Sequence, residues 1–321
     1  MPTTRHTSQA RTVAVIGAGT IGASWVSFFL SKGLTVKVCD SDPAGRHRTH
    51  EAIAAAWPAL TELGLDRSAS PDNWTFSTDL QEAVSGCGFV QESLPERIEL
   101  KGEVLRRLGE ITEARVIIAS STSGLAMSLL QQGCRHPERY VVGHPVHPPH
   151  LTPAVEVVGG NETSAETIDA AIAFYRSLGK MPIHVRKEVP GYVISRLQSA
   201  LWREVLNLVQ RGVATIEDID MAIANGPGLR WALNGPGAVH HMAGGEGGID
   251  YFMRHLHPAM QNWWPDLGEP EVDASFVDDV VSQVKDEVGS EPAIEMTRKR
   301  DEALVRILKA RRGYGNYGDE A

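Results

Sequence analysis

Hydrophobic and polar positions follow two different patterns along the chain. From Thr12 to about Val185, short runs of β-branched and other apolar residues alternate with longer stretches of helical periodicity. Strands that alternate with helices in this way are typical of a parallel sheet covered by helices. The predicted strands are Val13–Ile16, Thr35–Cys39, Phe89–Gln91, Val116–Ala119, Tyr140–Val142, Val155–Val158 and Ile183–Val185.

After Pro190 and Gly191 the pattern is helical and contains no convincing strand. Apolar residues then recur three and four positions apart, which predicts a helix with one buried stripe. The residues of this stripe are Ile194, Leu197, Leu201, Val205 and Leu208. We therefore place a domain boundary close to Pro190.

The predicted fold is an α/β Rossmann-type N-terminal domain with a mostly parallel sheet, followed by an all-α C-terminal domain. The first domain is expected to cover residues 11–188 and the helical domain residues 189–310. Residues 1–10 are expected to form a flexible leader and residues 311–321 a polar tail.

Local signals mark several helix ends. Thr163 with Glu166 predicts a capping box at the start of one helix, because a Thr side chain and a Glu side chain can satisfy the first free N–H groups. Thr215 with Asp218 predicts the start of a short helix that ends near Gly226. A turn-rich segment is expected from there to Trp231.

Composition and charge exclude several classes of protein. The chain has 321 residues, 42% of them hydrophobic and 22% charged, which is typical of a folded globular protein. A net charge of −9 with no Lys/Arg run argues against a nucleic-acid partner. The polar residues 1–10 are not expected to be a secretion signal, and no apolar stretch approaches the roughly 20 residues needed to cross a membrane.

Cysteine usage favours a reducing compartment. Cys39, Cys87 and Cys134 are an odd number of widely spaced cysteines without a Cys-x-x-Cys pair. Such spacing predicts neither a disulfide framework nor a zinc ribbon. A cytoplasmic location is therefore expected.

A glycine pattern links the first predicted strand to the first helix. Gly17, Gly19 and Gly22 form G-x-G-x-x-G, the arrangement that permits a tight turn, close approach of a pyrophosphate and close packing of helix on strand. Thr20 and Ile21 open the helix, whose N-terminus favours phosphate. The pattern predicts a dinucleotide site, and the alternative is an ordinary turn.

Asp40 indicates which dinucleotide is bound. It ends the second strand at about the spacing from the glycines at which an acid accepts hydrogen bonds from the adenosine ribose. A carboxylate there repels a 2′-phosphate, so NAD is predicted over NADP. Arg46 and Arg48 lie nearby and can soften the repulsion, although a solvated helix face is the simpler interpretation.

A histidine and a glutamate on neighbouring strands form a candidate catalytic pair. His144 ends one strand, and Glu156 lies within the apolar run Val155–Val158. A carboxylate in such a strand needs a partner, because an unpaired buried charge is costly. An imidazole paired with it is prepared to accept a hydroxyl proton. The alternative is a structural His with a solvent-facing Glu on an edge strand.

Three histidines three residues apart raise the question of a metal site. His144, His147 and His150 are interrupted by prolines, which exclude a helix that would place them on one face. No metal is predicted.

These motifs together resemble the 3-hydroxyacyl-CoA dehydrogenase superfamily over nearly the whole chain. The resemblance rests on Gln91-Glu-Ser-Leu-Pro-Glu96, Ala119-Ser-Ser-Thr-Ser123, His144-Pro-Val-His-Pro-Pro, Val155-Glu156-Val and Gly191-Tyr-Val-Ile-Ser195-Arg196-Leu. It implies that His144 and Glu156 are catalytic and that Ser123 binds the substrate hydroxyl.

The resemblance also implies that Glu96 neighbours cofactor and substrate, and Lys101 is predicted beside it in the cofactor site. Two positions depart from the family pattern, because Ser195 and His147 stand where most members carry Asn. Serine still donates a hydrogen bond, but from a shorter side chain. We expect Ser195 to be catalytic and His147 to bind a substrate unlike the common ones.

Further segments resemble the branch of the superfamily that contains L-gulonate 3-dehydrogenase (lambda-crystallin) and L-carnitine dehydrogenase, which act on free 3-hydroxy acids. Arg230 can pair with a free carboxylate, or can lie on the surface or between subunits. Trp202 and Trp231 can wall a quaternary-ammonium pocket through cation–π attraction, or can be core aromatics.

The resemblance implies an NAD-dependent dehydrogenase that oxidises a small free 3-hydroxy acid and forms a homodimer. A 3-hydroxyacyl-CoA dehydrogenase is the first alternative. A non-catalytic, crystallin-like protein that binds NAD is the second.

Overall fold

The computed structural model describes residues 11–314, and the predicted leader and the end of the predicted tail lie outside them. Eight strands form one sheet. The strands are β1 (Thr12–Ile16), β2 (Thr35–Cys39), β3 (Trp74–Ser77), β4 (Phe89–Glu92), β5 (Ile117–Ser120), β6 (Tyr140–Pro145), β7 (Ala154–Gly159) and β8 (Met181–Val185). The seven strands predicted from sequence are present, and β3 is an additional one that the sequence pattern did not reveal.

Helices connect the strands and form the rest of the chain. Those before residue 190 are α1 (Thr20–Ser31), α2 (Gly45–Leu63), α3 (Leu80–Val84), α4 (Ile98–Ile111), α5 (Met127–Leu130) and α6 (Ala165–Ser177). Those that follow are α7 (Ile194–Gln210), α8 (Ile216–Asn225), α9 (Pro227–Trp231), α10 (Pro236–Ala243), α11 (Gly248–Tyr251), α12 (His257–Gln261), α13 (Ala274–Val288) and α14 (Ala293–Arg311).

The sheet has the order β3-β2-β1-β4-β5-β6-β7-β8. Strands β1 to β6 are parallel, whereas β7 is antiparallel to β6 and parallel to β8. The carboxyl ends of β1, β4, β5 and β6 therefore lie along one edge. The predicted Rossmann-type architecture with a mostly parallel sheet is confirmed.

Each face of the sheet has its own apolar core, because successive side chains of a strand point to opposite faces. Val13 and Val15 belong to one core, together with Trp25, Phe89 and Phe174. The other core contains Ala14, Ile16, Leu105, Leu108 and further residues from the opposite side of the same strands. Helices thus cover both faces, as near-continuous apolar strands require.

Two predicted helix starts have different outcomes. The capping box of Thr215 and Asp218 is present at the start of α8. The box predicted at Thr163 and Glu166 is wrong, because Ser164 is the N-cap of α6 and accepts the hydrogen bond from the Thr167 backbone. The Thr163 hydroxyl instead donates to the Tyr140 carbonyl oxygen, which ties the loop to β6.

The described chain divides into two compact units between Arg196 and Leu197. No strand lies in the described residues after Val185, as the sequence pattern indicated. The segment from Gly226 to Trp231 contains the short helix α9, so its prediction as a turn-rich loop was wrong. Pro227 explains the difference, since proline favours the first turn of a helix.

The second unit has a small core of its own. Val205, Val209, Ile216 and Ile219 are buried, and helix α13 packs against them. The predicted buried stripe of α7 is only partly correct, because Leu197 is 64% and Leu201 41% exposed. The first turns of α7 thus leave apolar side chains uncovered.

Within residues 11–314, no helix is both long and apolar enough to cross a membrane.

The two-sided core predicts a large difference between two leucines of the first unit. Leu105 is fully buried, whereas Leu129 is 51% exposed. Replacing Leu105 by Ala removes buried methyl groups and leaves a cavity, which should lower the free energy of unfolding by about 2–5 kcal/mol. The same change at Leu129 should stay within about 0.5 kcal/mol. Urea unfolding followed by circular dichroism measures both, and equal losses would contradict this packing.

Candidate active site

The turn between β1 and α1 requires glycine at two of its three glycine positions. Gly17 has a φ of +100°, and a Cβ built on it would lie 2.6 Å from the Ser93 carbonyl oxygen. A Cβ on Gly22 would lie 1.8 Å from the Gly17 carbonyl oxygen. These contacts fix a tight turn and bring α1 close to β1, which are the two roles predicted from the sequence.

Gly19 differs, because a Cβ on it would meet no heavy atom within 4 Å. It is the N-cap of the 12-residue helix α1 and offers no capping side chain. Thr20 and Ile21 follow in the first turn, where free N–H groups and the helix dipole favour an anion. Bare backbone next to open space at a helix N-terminus fits the pyrophosphate of a dinucleotide.

Asp40 lies directly beside this turn. Its Oδ2 accepts a hydrogen bond of 2.7 Å from the Ala18 N–H, and its Oδ1 accepts one of 2.9 Å from the Asp42 N–H. The carboxylate thus holds the glycine turn through the backbone N–H of Ala18. This bracing role was missed by sequence reasoning, which considered only the ligand.

The two nearby arginines are already engaged. Arg48 donates to Asp42 at 2.6 Å and approaches Asp40 at 3.9 Å. The guanidinium of Arg46 lies 5.4 Å from the centroid of the Phe76 ring and donates to the Phe76 carbonyl oxygen. Both guanidinium groups thus already contact other protein groups, and neither is free to bind a phosphate.

His144 and Glu156 are opposite residues on β6 and β7, and their side chains are in contact. The His144 Nδ1 and the Glu156 Oε2 are 2.7 Å apart. Glu156 is fully buried on an internal strand. The predicted pairing is therefore present, and the alternative of a solvent-facing Glu on an edge strand is wrong.

Two backbone N–H groups also donate hydrogen bonds to Glu156. Its Oε1 accepts hydrogen bonds from the Val193 N–H at 2.8 Å and the Ile194 N–H at 3.0 Å. Burial alone would raise the pKa of Glu156, but the hydrogen bonds from His144, Ile194 and Val193 outweigh it and lower the pKa. An ionised carboxylate only accepts hydrogen bonds, so Nδ1 of His144 carries the proton and Nε2 of the neutral ring keeps its lone pair.

Ser123 lies in the loop after β5, and Glu96 holds this loop. One oxygen of Glu96 accepts hydrogen bonds from the Thr122 hydroxyl at 2.6 Å, the Ser123 N–H at 3.1 Å and the Gly124 N–H at 3.2 Å. Burial opposes ionisation, but these donors and Lys101 lower the pKa of Glu96. Ser123 itself is exposed, and its hydroxyl has no partner among residues 11–314.

Lys101 lies between two carboxylates and is only 1% exposed. Its Nζ donates to Glu92 at 2.9 Å and lies 3.5 Å from Glu96. Glu92 also accepts hydrogen bonds from the Ser120 hydroxyl and the Leu94 N–H. Lys101 is thus buried next to Glu96, which belongs to the predicted cofactor site. That Lys101 itself binds the cofactor stays a prediction. Glu92 was missed, although an acid at the end of the apolar strand Phe89–Glu92 is a signal that a charged partner lies nearby.

A second buried network lies under the same edge of the sheet. The Tyr175 hydroxyl donates to Gln91 Oε1 at 2.6 Å. The Gln91 amide donates to the Ser121 hydroxyl at 2.8 Å and to the Gly143 carbonyl oxygen at 3.2 Å. This network joins the residue before His144 to the loop that carries Ser123, and sequence reasoning did not identify it.

His147 follows His144 by three residues, whereas Ser195 comes from the start of α7. His147 is exposed and precedes a cis peptide bond to Pro148. His150 contacts the Ser24 hydroxyl through Nδ1 at 2.8 Å. In the part of the chain that is described, no three His, Cys, Asp or Glu residues are arranged to hold a metal ion. Ser195 is half-buried in the first turn of α7.

The predicted substrate residues Trp202, Arg230 and Trp231 lie in the second unit. The two tryptophans are 47% and 44% exposed, so neither is a core aromatic of that unit. Arg230 is exposed at the end of α9 and has no ion pair with any residue from 11 to 314. All three side chains are therefore exposed in the structure.

Comparison with known families matches both units. Residues 12–189 match the model of the 3-hydroxyacyl-CoA dehydrogenase NAD-binding domain. Residues 191–283 match the model of the 3-hydroxyacyl-CoA dehydrogenase C-terminal domain.

Several curated proteins are similar over nearly the full length. An L-carnitine dehydrogenase from Streptomyces coelicolor is 44% identical over 300 residues, which cover 94% of each chain. An L-carnitine dehydrogenase from Pseudomonas putida is 43% identical, again over 94% of each chain.

Two solved structures extend this comparison. The NAD-dependent dismutase 5-formyl-3-hydroxy-2-methylpyridine 4-carboxylic acid 5-dehydrogenase has a TM-score of 0.83 and 31% identity, and covers 95% of this chain and 99% of its own. The 3-hydroxybutyryl-CoA dehydrogenase of Escherichia coli has a TM-score of 0.62 and 27% identity, and covers 68% of this chain and 47% of its own.

The lowered pKa of Glu156 predicts a pH-dependent contribution to stability. A carboxyl whose native pKa is depressed stabilises the fold above its unfolded pKa of about 4.3, and this stabilisation is lost as the pH falls through the native value. Glu156→Gln, which cannot ionise, should cost about 1–3 kcal/mol at pH 7. The cost should shrink when unfolding is measured near pH 3.5. Glu103→Gln, at an exposed position, is the control. A cost of the same size at both pH values would contradict the prediction.

Proposed function

Because the chain belongs to the 3-hydroxyacyl-CoA dehydrogenase family, we propose that it oxidises the 3-hydroxyl of a small free 3-hydroxy acid, with L-carnitine as the first candidate. The chain is an NAD-dependent oxidoreductase of this family. The observation that carries the proposal is the buried His144–Glu156 pair at the sheet edge where the glycine turn also lies.

The glycine turn would hold the dinucleotide. Gly17 and Gly22 shape the turn, and Gly19 leaves room for the pyrophosphate at the N-terminus of α1, which Thr20 and Ile21 begin. Asp40 would accept hydrogen bonds from the adenosine ribose. Bound NAD supplies the acceptor for the hydride that leaves C3 of the substrate.

His144 would act as the general base. Its Nδ1–H donates to Glu156, so the lone pair of Nε2 is available to take the substrate hydroxyl proton. Ser123 would hydrogen-bond that hydroxyl, since its own hydroxyl has no partner in the described part of the chain. Glu156 stabilises the imidazolium that forms, because it is held ionised by the Val193 and Ile194 N–H groups.

The neighbouring residues would position these groups. Glu96 fixes the loop of Ser123, and Lys101 fixes Glu96. We propose that Ser195 donates a hydrogen bond to the substrate from the start of α7. His147, exposed in the loop after His144, would contact the part of the substrate that distinguishes it from common family substrates.

The substrate class follows from charge and from the relatives. Carnitine is a free carboxylate with a quaternary ammonium, and the pyridine acid of the structurally similar dismutase also has a free carboxylate. Arg230, exposed and without an ion pair among residues 11–314, would bind the carboxylate in a bidentate pair. Trp202 and Trp231 would face the ammonium, which aromatic rings attract through cation–π interaction.

We further propose a homodimer formed through the second unit, and a cytoplasmic location. Leu197, Leu229 and Trp263 of that unit are each more than 60% exposed, which is unfavourable in water unless a partner covers them. Cys39, Cys87 and Cys134 are buried free thiols, which a reducing compartment preserves.

The test is NADH formation over a panel of L-carnitine, L-gulonate, 3-hydroxybutyrate and 3-hydroxyacyl-CoA, with NAD and NADP compared. L-Carnitine with NAD is expected to give the highest kcat/KM. His144→Gln should lower kcat by about 10²–10⁴-fold with NAD affinity unchanged, because the base alone is lost.

Other outcomes of the panel select the alternatives. Turnover of the acyl-CoA without the free acids would select a 3-hydroxyacyl-CoA dehydrogenase. Tight NADH binding without any turnover would select the crystallin-like function. Near-normal turnover by His144→Gln would refute the role of the base.

Arg230 provides a test of carboxylate recognition. Arg230→Met should raise KM for the free acid about 10- to 100-fold, because a charge-assisted pair contributes about 1.5–3 kcal/mol to binding. Affinity for NAD should not change. Arg254→Met is the matched control, since Arg254 is also exposed in the second unit but pairs with Asp250. Equal KM values for both variants would show that Arg230 does not bind the carboxylate.

A further inference from the structure

Tyr192 lies two residues before the start of α7, and its ring and its hydroxyl reach two parts of the candidate site. The side chain is buried, with an exposure of 1%. Its ring centroid lies 5.8 Å from that of His144, at an interplanar angle of 54°. Its hydroxyl donates a hydrogen bond of 2.7 Å to the carbonyl oxygen of Leu125, two residues after Ser123.

The backbone of Tyr192 is unusual. Its φ is +46°, in the left-handed region that bulky residues rarely adopt. Gly191 before it has a φ of +72°. The two residues after it, Val193 and Ile194, direct their N–H groups to Glu156. The chain thus turns sharply at Tyr192. This turn directs the two N–H groups that follow to the carboxylate of Glu156, which is the partner of His144.

We propose that Tyr192 is a positioning residue for the reaction, which holds the base His144 and the loop of Ser123 in one fixed relation. The ring packs against the imidazole, and the hydroxyl ties the Ser123 loop to the chain that braces Glu156. The expected effects on kinetics rest on the proposed function. The expected effects on the structure of the Ser123 loop do not.

The hydroxyl of Tyr192 is suited to this tether. Burial raises the pKa of Tyr192, so the group stays protonated and remains a donor throughout the working pH range. A phenylalanine would fill the same space without the donor. Two other buried tyrosines, Tyr140 and Tyr175, have ordinary negative φ values and lie in regular elements. A simple packing role does not require the strained backbone that Tyr192 adopts.

Tyr192→Phe tests the tether with little risk to the fold. With L-carnitine and NAD, kcat should fall about 3- to 10-fold because the hydroxyl-binding serine is less well aligned, while the Kd of NAD stays unchanged. Slower chemistry should also raise the primary deuterium isotope effect on kcat/KM for substrate deuterated at C3. A merely structural role would lower the active fraction without changing the isotope effect.

Tyr140→Phe is the matched control. The Tyr140 hydroxyl is also buried and donates to a backbone carbonyl, that of Leu105, but it lies at the opposite end of β6 from His144. Its kinetics should equal those of the unmodified protein. Tyr192→Asn, which tolerates a left-handed backbone, removes the ring as well and should lower kcat further than Tyr192→Phe. Equal kinetics of the two Tyr192 variants would overturn the role of the ring.

Hydrogen exchange gives a readout that needs no substrate. Tyr192→Phe should speed exchange of the backbone amides from Thr122 to Leu125, whereas Tyr140→Phe should not. If the proposed substrate is wrong but this loss of protection is seen, the tether stands and only the proposed function fails. Unchanged protection together with unchanged kcat would overturn the positioning role of Tyr192.

Discussion

The candidate site depends on the burial of one ionised carboxylate, that of Glu156. Removing an isolated carboxylate from water costs several kcal/mol, so the side chain is tolerated there only with a full set of donors. His144 supplies one, and the N–H groups of Val193 and Ile194 supply the others. The carboxylate consequently fixes the proton on His144, the orientation of its ring and the path of the chain that enters α7.

The same logic recurs along the carboxyl edge of the sheet. Glu92 is buried with Lys101, and Glu96 gathers the donors of the Ser123 loop. Asp40 braces the glycine turn through the Ala18 N–H. In each case a carboxylate holds a loop by accepting hydrogen bonds from its backbone N–H groups. Rigid loops keep reacting groups aligned, which is worth several kcal/mol in a bimolecular step.

Much of this arrangement could be predicted from the sequence. Seven strands and the glycine turn follow from local patterns. The acid within an apolar strand suggested the His144–Glu156 pair, but a solvent-facing Glu remained an alternative until the strand was seen to be internal. Strand β3 was missed because Trp74-Thr-Phe-Ser77 is a short edge strand that pairs on one side only. The backbone donors to Glu156 were missed because Val193 and Ile194 lie 37 and 38 residues further along the chain. The exposure of Leu197 was not foreseen, since helical periodicity cannot say whether a partner element exists.

The central claim is that Glu156 keeps His144 in the tautomer whose Nε2 can accept a proton. Long-range ¹H–¹⁵N NMR of protein labelled at histidine, at a pH where the imidazole is neutral, measures this tautomer directly. The His144 signals are assigned by their absence from His144→Gln. We expect a protonated Nδ1 and an unprotonated Nε2 for His144. A protonated Nε2 in the neutral ring would contradict the account.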